Sequence, residues 1–473
     1  VVKDTRPPNV RVTSIGPQRD TVPRPELLPR ADGKPARVSF QAPAHHKEVL
    51  VYRTDVTPAR AVFDKPVRLA DDARQWTWNG RVGGRRVAAG TYVVVVRARD
   101  QAGNIGTSAP LPPTLAYRGT FPGRGGITVR YLTAQSSSEP FDAGARAAVA
   151  VASVDKRFSW TLRRIGEREI RKRGRGTRSR VVHFAAPGGK SGLYLFEVRT
   201  RTRKAAAPVV VQSADNRDVL VVLPATTWQG LNPVDDDGDG RPDTLSAGLA
   251  VRIGRPFVKS GLPEQLPKHE ALLLAQLDRD HHRYDLTTDV ALARGSGPTL
   301  AGHRGVILAG DTRWLDVRVA RALRSFVRGG GRLLSLGTQS LRRTVQLTPG
   351  GRAIDPTPAT TRDLFGARLR PVERPPAPAT LVNVVDDVQL FAGTAGQFAG
   401  IGSFEQTLDV RGGTAAIAAA AATQDGRRDV IVASRLGKGL VIRPGIPDFS
   451  ASLRTNPELA GLLERMWTLL ARP

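Results

Sequence analysis

The sequence predicts a multidomain chain: two β-sandwich-like domains followed by an α/β domain built on an open, largely parallel sheet. Three observations carry that expectation. At 473 residues the chain is too long for one hydrophobic core, and a prior of about 150 residues per domain gives roughly three. Up to about residue 212, apolar residues alternate with polar ones between Pro and Gly clusters, as half-buried strands require. From Arg217 the pattern changes to continuous apolar runs separated by helical segments, which is the signature of parallel strands with crossover helices. The expected domains are 1–120, 121–214 and 215–473, the last with a Pro-rich insertion around 343–406.

Composition bounds the function classes. Hydrophobic residues at 40% and charged residues at 24% describe a globular chain rather than a disordered one. No run of 18 or more apolar residues occurs, so no transmembrane helix is expected, and the alanine run Ala415 to Ala422 is too short and too weakly apolar to form one. The absence of cysteine excludes disulfides, thiolate nucleophiles and cysteine metal sites. A net charge of +28 and a pI near 11.3 point to anionic partners, such as a cell-wall polymer or nucleic acid. Arginine outnumbers lysine several-fold and aromatics are only 5%, which also fits a GC-rich codon bias with a generally basic surface. The chain starts at Val1 without Met, and the reading is of an exported protein whose signal peptide has been removed.

In the first domain, Ala36 to Phe40, Glu48 to Tyr52 and Thr91 to Arg97 alternate as strands. Asn79-Gly80 and Gly83-Gly84 supply turns, and Tyr92, Val94 and Val96 supply one strand face. The stretches around Trp76 to Arg81, Gly83 to Tyr92 and Arg97 to Asn104 resemble the immunoglobulin-like module of the flagellar hook-capping protein. That resemblance implies a spacer or adhesion module. His45-His46 is read as part of a turn.

In the second domain, strands are predicted at Ile127 to Tyr131, Ala147 to Ala152, Val181 to Phe184 and Leu193 to Val198. The basic run from Arg163 through Arg171-Lys172-Arg173 to Arg180 is expected to form a solvated hairpin tip. Pro187-Gly188-Gly189-Lys190-Ser191 is not a phosphate loop: the first glycine of the motif is missing and a strand rather than a helix follows.

In the third domain, strands are expected at Val219 to Leu223, Tyr284 to Thr288, Gly305 to Ala309, Arg332 to Leu336, Asp429 to Ala433 and Leu440 to Arg443. Helices are expected at Glu264 to Asp278, Asp316 to Arg328 and Pro457 to Ala471. Leu459, Leu462, Leu463, Met466 and Leu470 mark the buried stripe of the last helix. The insertion is expected to carry short strands near Leu381 to Val385 and Val388 to Phe391. Asp278 to Asp285, with His281-His282, is read as a solvated loop, and the isolated His183, His269 and His303 as packing or surface residues.

The order of several pieces is similar to the large-subunit-like proteins of N,N-dimethylformamidase. These are Ser191-Gly192-Leu193-Tyr194, the strand into Pro224-Ala225-Thr226-Thr227-Trp228, Tyr284 to Asp289, Leu308-Ala309-Gly310-Asp311, and Phe326 to Gly337. The resemblance, over roughly Gly125 to Pro473, implies a glutamine-amidotransferase-like, flavodoxin-like α/β domain and a mononuclear iron held by two tyrosines and a glutamate that hydrolyses a small amide. Here Arg313 stands at the glutamate-like position and Trp314 at a tyrosine-like one. Tryptophan offers no phenolate and a cation repels a metal, so iron is not expected and no catalytic residue is assigned. The amidotransferase nucleophile is a cysteine, which the chain lacks, and Ser340 stands in no G-x-S-x-G turn.

The acidic loop Asp235-Asp236-Asp237-Gly238-Asp239-Gly240-Arg241-Pro242-Asp243 is the sharpest local signal. Asp235, Asp237 and Asp239 occupy positions one, three and five of a calcium loop, with Gly240 at six, the Arg241 carbonyl at seven and Asp243 at nine. The loop looks like those of thrombospondin type 3 repeats and dockerins. Ser246 at position twelve replaces the bidentate glutamate of an EF-hand, so water or another group must complete the shell. The expected cofactor is a structural Ca2+. Trp228, Asp311 and Trp314 are expected to flank a ligand-binding crevice at the carboxyl end of the sheet. The resulting reading is an exported, calcium-stabilised binding or structural protein at a cell envelope or on an extracellular polymer, of unknown oligomeric state. The alternatives are a metal-dependent hydrolase of amides or glycans and, third, a polyanion or nucleic-acid binder.

Overall fold

A computed structural model describes residues 4–16, 26–27, 35–111, 125–213, 216–411 and 415–472. Strand outweighs helix throughout, and the strands fall into several separate sheets, as multiple β-sandwich-like units require. Among the described residues no helix is long and apolar enough to cross a membrane.

The first β unit packs a three-stranded sheet, Arg11–Gly16, Ala36–Gln41 and Gln75–Trp78, against a larger one centred on Gly90–Arg99. Alternation along Gly90–Arg99 sends Tyr92, Val94, Val96 and Ala98 into the core between the sheets, where Trp78 meets Tyr92 edge-on at 5.4 Å. Val93 and Val95 point the other way, into a small cluster with Ala109. The expected boundary at residue 120 lies outside the described residues. Gly126–Val129, expected in the second domain, pairs antiparallel with Gly90 to Val93 and so belongs to the first unit's sheet.

The second unit sets Leu132–Gln135, Arg146–Ser153 and Arg180–Ala185 against five strands in the order Phe141–Asp142, Lys204–Gln212, Gly192–Arg199, Arg157–Arg164, Ile170–Thr177. Trp160, Phe184 and Phe196 stack in its core. The basic run expected as a hairpin tip is instead a regular edge strand. Its register pairs Trp160 with Gly174 and Phe158 with Gly176, and a Cβ at either glycine would lie within 3 Å of the facing ring. The two glycines leave room for the aromatic rings, while Arg171, Arg173 and Arg175 stay in solvent.

The C-terminal region is built on a nine-stranded sheet, in the order Asp285–Thr288, Val219–Leu223, Gly305–Leu308, Arg332–Ser335, Gly439–Arg443, Asp429–Leu436, Ala416–Thr423, Ala379–Asp386, Gln397–Ile401. The first five run parallel and the remainder antiparallel, so the sheet is mixed rather than wholly doubly wound. The alanine run forms an interior strand of this sheet, fully buried from Ala418 to Ala422. The Pro-rich stretch supplies the two outermost strands, Ala379–Asp386 and Gln397–Ile401; Val388 to Phe391 is a turn.

Helices Glu270–Arg279, Val317–Arg328 and Pro457–Ala471 accompany the sheet. Asn456 caps the last by accepting from Leu459 N at 3.2 Å, with Pro457 at its first turn, and the predicted leucine and methionine stripe is buried.

Candidate functional site

The chain leaves the carboxyl end of Val219–Leu223 at Pro224 and turns at once into the short helix Ala225–Leu231. Proline has no N–H to give to a ladder, so the strand ends there. The carboxyl group of Asp289, at the end of the neighbouring strand, accepts from Thr226 N at 3.0 and 3.3 Å. Burial pushes that carboxyl up to about 7, against the pull of backbone N–H groups. The Thr227 hydroxyl accepts from Arg313 N at 3.0 Å and Trp314 N at 3.4 Å, tying the loop after the third parallel strand to this helix.

Three carboxyl groups gather beside that junction. Trp228 Nε1 donates to Glu270 Oε1 at 3.1 Å, and Gln339 N donates to Glu405 at 2.8 Å. Burial raises Glu270 to about 7, with the Asp311 charge adding to it and the Trp228 N–H opposing. Burial likewise raises Glu405 to about 7, and Asp311 again contributes. Asp311 therefore lies within electrostatic reach of both and is itself paired with Arg313 at 3.2 Å. Gly310 makes the approach possible, because a Cβ there would sit 2.2 Å from Glu270 Oε1. Glu270, poised near neutrality beside the Asp311 carboxylate, can exchange a proton with a ligand in the adjoining cleft, which Trp228, Asn232, Glu270, Asp311 and Arg313 help to line; Glu405 is not among the lining residues. Glu270 and Glu405 were not singled out from the sequence; each comes from a segment remote from Asp311.

Of the expected platform residues, Trp228 and Asp311 reach this cleft and Trp314 does not. Trp314 is 1% exposed, with Arg343 stacked 5.3 Å above its ring, so its faces are spent in the core. Ser340 is fully buried; its hydroxyl accepts from Thr312 N at 2.9 Å and serves to join two loops. The implied iron does not fit these residues. Tyr284 is the single tyrosine after residue 215. It lies at the opposite end of the sheet, bonded to Asp278 at 3.1 Å. Arg313 is committed to Asp311, and Trp314 brings no oxygen.

The acidic loop is wedged against the first β unit. A bridge between Val234 and Asp243 closes it. Asp235, Asp237 and Asp239 each bring a carboxylate oxygen within 4.8 Å of the others, a group that Asp243 does not join. Asp243 instead accepts from Asp236 N, and burial raises its carboxyl to about 7. Asp239 rises to about 6 through burial and the neighbouring Asp237 charge. Gly126 N donates to Gly238 O at 2.8 Å and the Thr54 hydroxyl donates to Gly240 O, so the first unit grips the loop backbone. Asp236, which alternates out of the ligand set, pairs with Arg255 at 3.0 Å in the interior. Arg255 also binds the carbonyls of Val234, Asp243 and Asn232 at 3.0 to 3.2 Å. The alternation of Asp236 was legible in the sequence; its arginine partner was not.

No curated protein matches the chain. Among solved structures it is similar to a cold-adapted β-galactosidase from Rahnella sp. R3, at 15% identity over 43% of this chain and 27% of that one, with a TM-score of 0.30. It is also similar to a β-galactosidase from Bacillus circulans sp. alkalophilus, at 14% identity over 53% of this chain and 31% of that one, with a TM-score of 0.31. The N-terminal domain of mmIFT52 matches at 13% identity over 44% of this chain and 92% of that one, with a TM-score of 0.31. The chain spans less than a third of the length of these β-galactosidases. Residues 180–383, which hold the first parallel strands, the acidic loop and the carboxylate-lined cleft, match the family described as N,N-dimethylformamidase beta subunit-like, C-terminal.

Proposed function

We propose that this chain is an exported binding protein on a dimethylformamidase-like scaffold that has lost the family's iron ligands, with a structural calcium in its acidic loop. Its C-terminal sheet is read as an amidotransferase-like α/β domain, and its first β unit as the immunoglobulin-like spacer that the sequence motifs resemble. The observation that carries the reading is the pairing of Arg313 with Asp311 at the mouth of the cleft, where the family implies a metal ligand. A guanidinium there disfavours a metal cation, and its pairing with Asp311 leaves a site for a polar ligand. The calcium proposal rests on the convergence of Asp235, Asp237 and Asp239. The test is metal analysis of the purified chain together with melting in calcium and in chelator. Calcium at one equivalent, with a melting point that falls in chelator, is the expected result. Stoichiometric iron would overturn the binding-protein reading.

A second reading, hydrolysis of an amide or glycan, draws on Glu270 and Asp311, which line the same cleft. It requires hydrolytic turnover that disappears in Asp311→Asn with the fold intact. The basic edge strand Ile170–Thr177 is the natural surface for an anionic envelope polymer.

A further inference from the structure

A second cavity, of about 310 Å³, opens at the amino end of the parallel strands, where the second β unit meets the C-terminal sheet. It is at the far end of the sheet from the carboxylate cleft. Its wall combines four permanent cations, Arg164, Lys190, Arg217 and Arg283, with a single carboxylate, Asp278.

That carboxylate is already engaged. Arg164 holds it at 3.0 and 2.9 Å, and the Tyr284 hydroxyl donates to it at 3.1 Å. Lys190 and Arg283, both exposed, have no carboxylate partner within 4.0 Å among the described residues. The wall therefore carries positive charge that the protein does not neutralise.

The floor is preorganised for an acceptor ligand. Ser191 and Ser213 are buried, and their hydroxyl oxygens lie 3.1 Å apart. Ser191 Oγ also accepts from Ser213 N at 2.9 Å, and Arg164 fixes Ser191 O at 2.7 Å. Two hydroxyls that share one hydrogen bond leave one O–H to donate outward. Lys190 enters from the Pro187-Gly188-Gly189 turn, which is no phosphate loop because the strand Gly192–Arg199 follows it. The turn nonetheless delivers an ammonium to the same cavity as the two hydroxyls.

We propose that this cavity binds a phosphate-type oxyanion, either as free phosphate or as a small phosphomonoester. More than one uncompensated cation favours a dianion over a monocarboxylate. The volume, at the lower end of the range for small-molecule sites, leaves room beyond the phosphate itself.

The experiment is calorimetric titration of the full chain, at constant ionic strength, with inorganic phosphate, glycerol 3-phosphate and acetate. It is repeated with a Lys190→Ala/Arg283→Ala double variant and with a charge-matched control, Arg173→Ala/Arg175→Ala. Saturable binding of either phosphate, weakened at least ten-fold in the first variant and unchanged in the control, is expected. The stronger of the two phosphates identifies the source. No saturable binding, equal weakening in the control, or acetate binding as tightly as phosphate would each overturn the proposal. Both substitutions of the double variant are at exposed positions, and its melting point without ligand reports whether the fold is kept.

Discussion

Trp228 donates its indole N–H to Glu270 Oε1 at 3.1 Å, while the other oxygen of Glu270 is buried without a hydrogen-bond partner. A carboxylate so placed is half-solvated by protein and carries a penalty when it ionises.

Glu270→Gln tests that penalty. The carboxyl titrates at about 7 in the folded chain against 4.5 ordinarily, so the native state holds its proton more tightly than the unfolded state. Stability is then lost as pH rises from about 4.5 to about 7, by up to the order of 3 kcal/mol. Glutamine keeps the acceptor for Trp228 and never ionises. The variant should melt above the parent at pH 8 and close to it at pH 4.5. Equal melting points at pH 8 would sink the argument.

Asp237→Asn addresses the acidic loop. Asp237 is exposed, so the substitution should cost under about 0.5 kcal/mol in chelator. In calcium at about 100 times the Kd, the parent should gain roughly 2.7 kcal/mol and the variant much less. Acid should weaken the parent's affinity, since Asp239, raised to about 6, must lose its proton to act as a ligand. Denaturant melts with and without calcium, at pH 7.5 and pH 5, measure all three.

Gly126→Ala should loosen the first β unit from the rest of the chain. A Cβ at Gly126 would stand 2.4 Å from both Asp235 Oδ2 and Gly240 N, so the strand or the loop must retreat. The expected readout is faster proteolytic loss of the first β unit with the C-terminal region still resistant. An unchanged digestion pattern would show that the contact does not hold the units together.

Arg255→Met removes the interior pin. The guanidinium is 2% exposed, and its loss takes the counter-charge from Asp236, which keeps the Arg252 N–H at 2.7 Å, and the donor from several carbonyls. Breaking such a pair costs about 3 to 5 kcal/mol. Chemical denaturation should register that loss in the presence and absence of calcium, because the pin holds Asp236 and the loop's flanking carbonyls rather than Asp235, Asp237 or Asp239.

Much of this was legible along the chain. Alternation identified the Tyr92, Val94 and Val96 face, and helical spacing identified the stripe from Leu459 to Leu470, because each period maps directly onto one buried side. Periodicity failed where glycine replaced the inward residue: Ile170–Thr177 reads as a charged loop until Trp160 and Phe158 are seen to fill the space over Gly174 and Gly176. In the Pro-rich stretch the strand near Leu381 to Val385 was legible, as Ala379–Asp386, while the edge strand Gln397–Ile401 was not, since a strand at the sheet's margin needs little apolar signal of its own.

The sequence by itself determined the succession of strand-rich units, the absence of cysteine chemistry, the single tyrosine in the C-terminal region and the carboxylate spacing of the acidic loop. These depend on residue identity and local period alone. Only the tertiary structure decided that Glu270 and Glu405 each come within electrostatic reach of Asp311, that Trp314 is core, and that the acidic loop is seated against Gly126 and Thr54. Each of those is a contact between residues tens to hundreds of positions apart. Sheet order and domain docking set such contacts, and no local pattern encodes them.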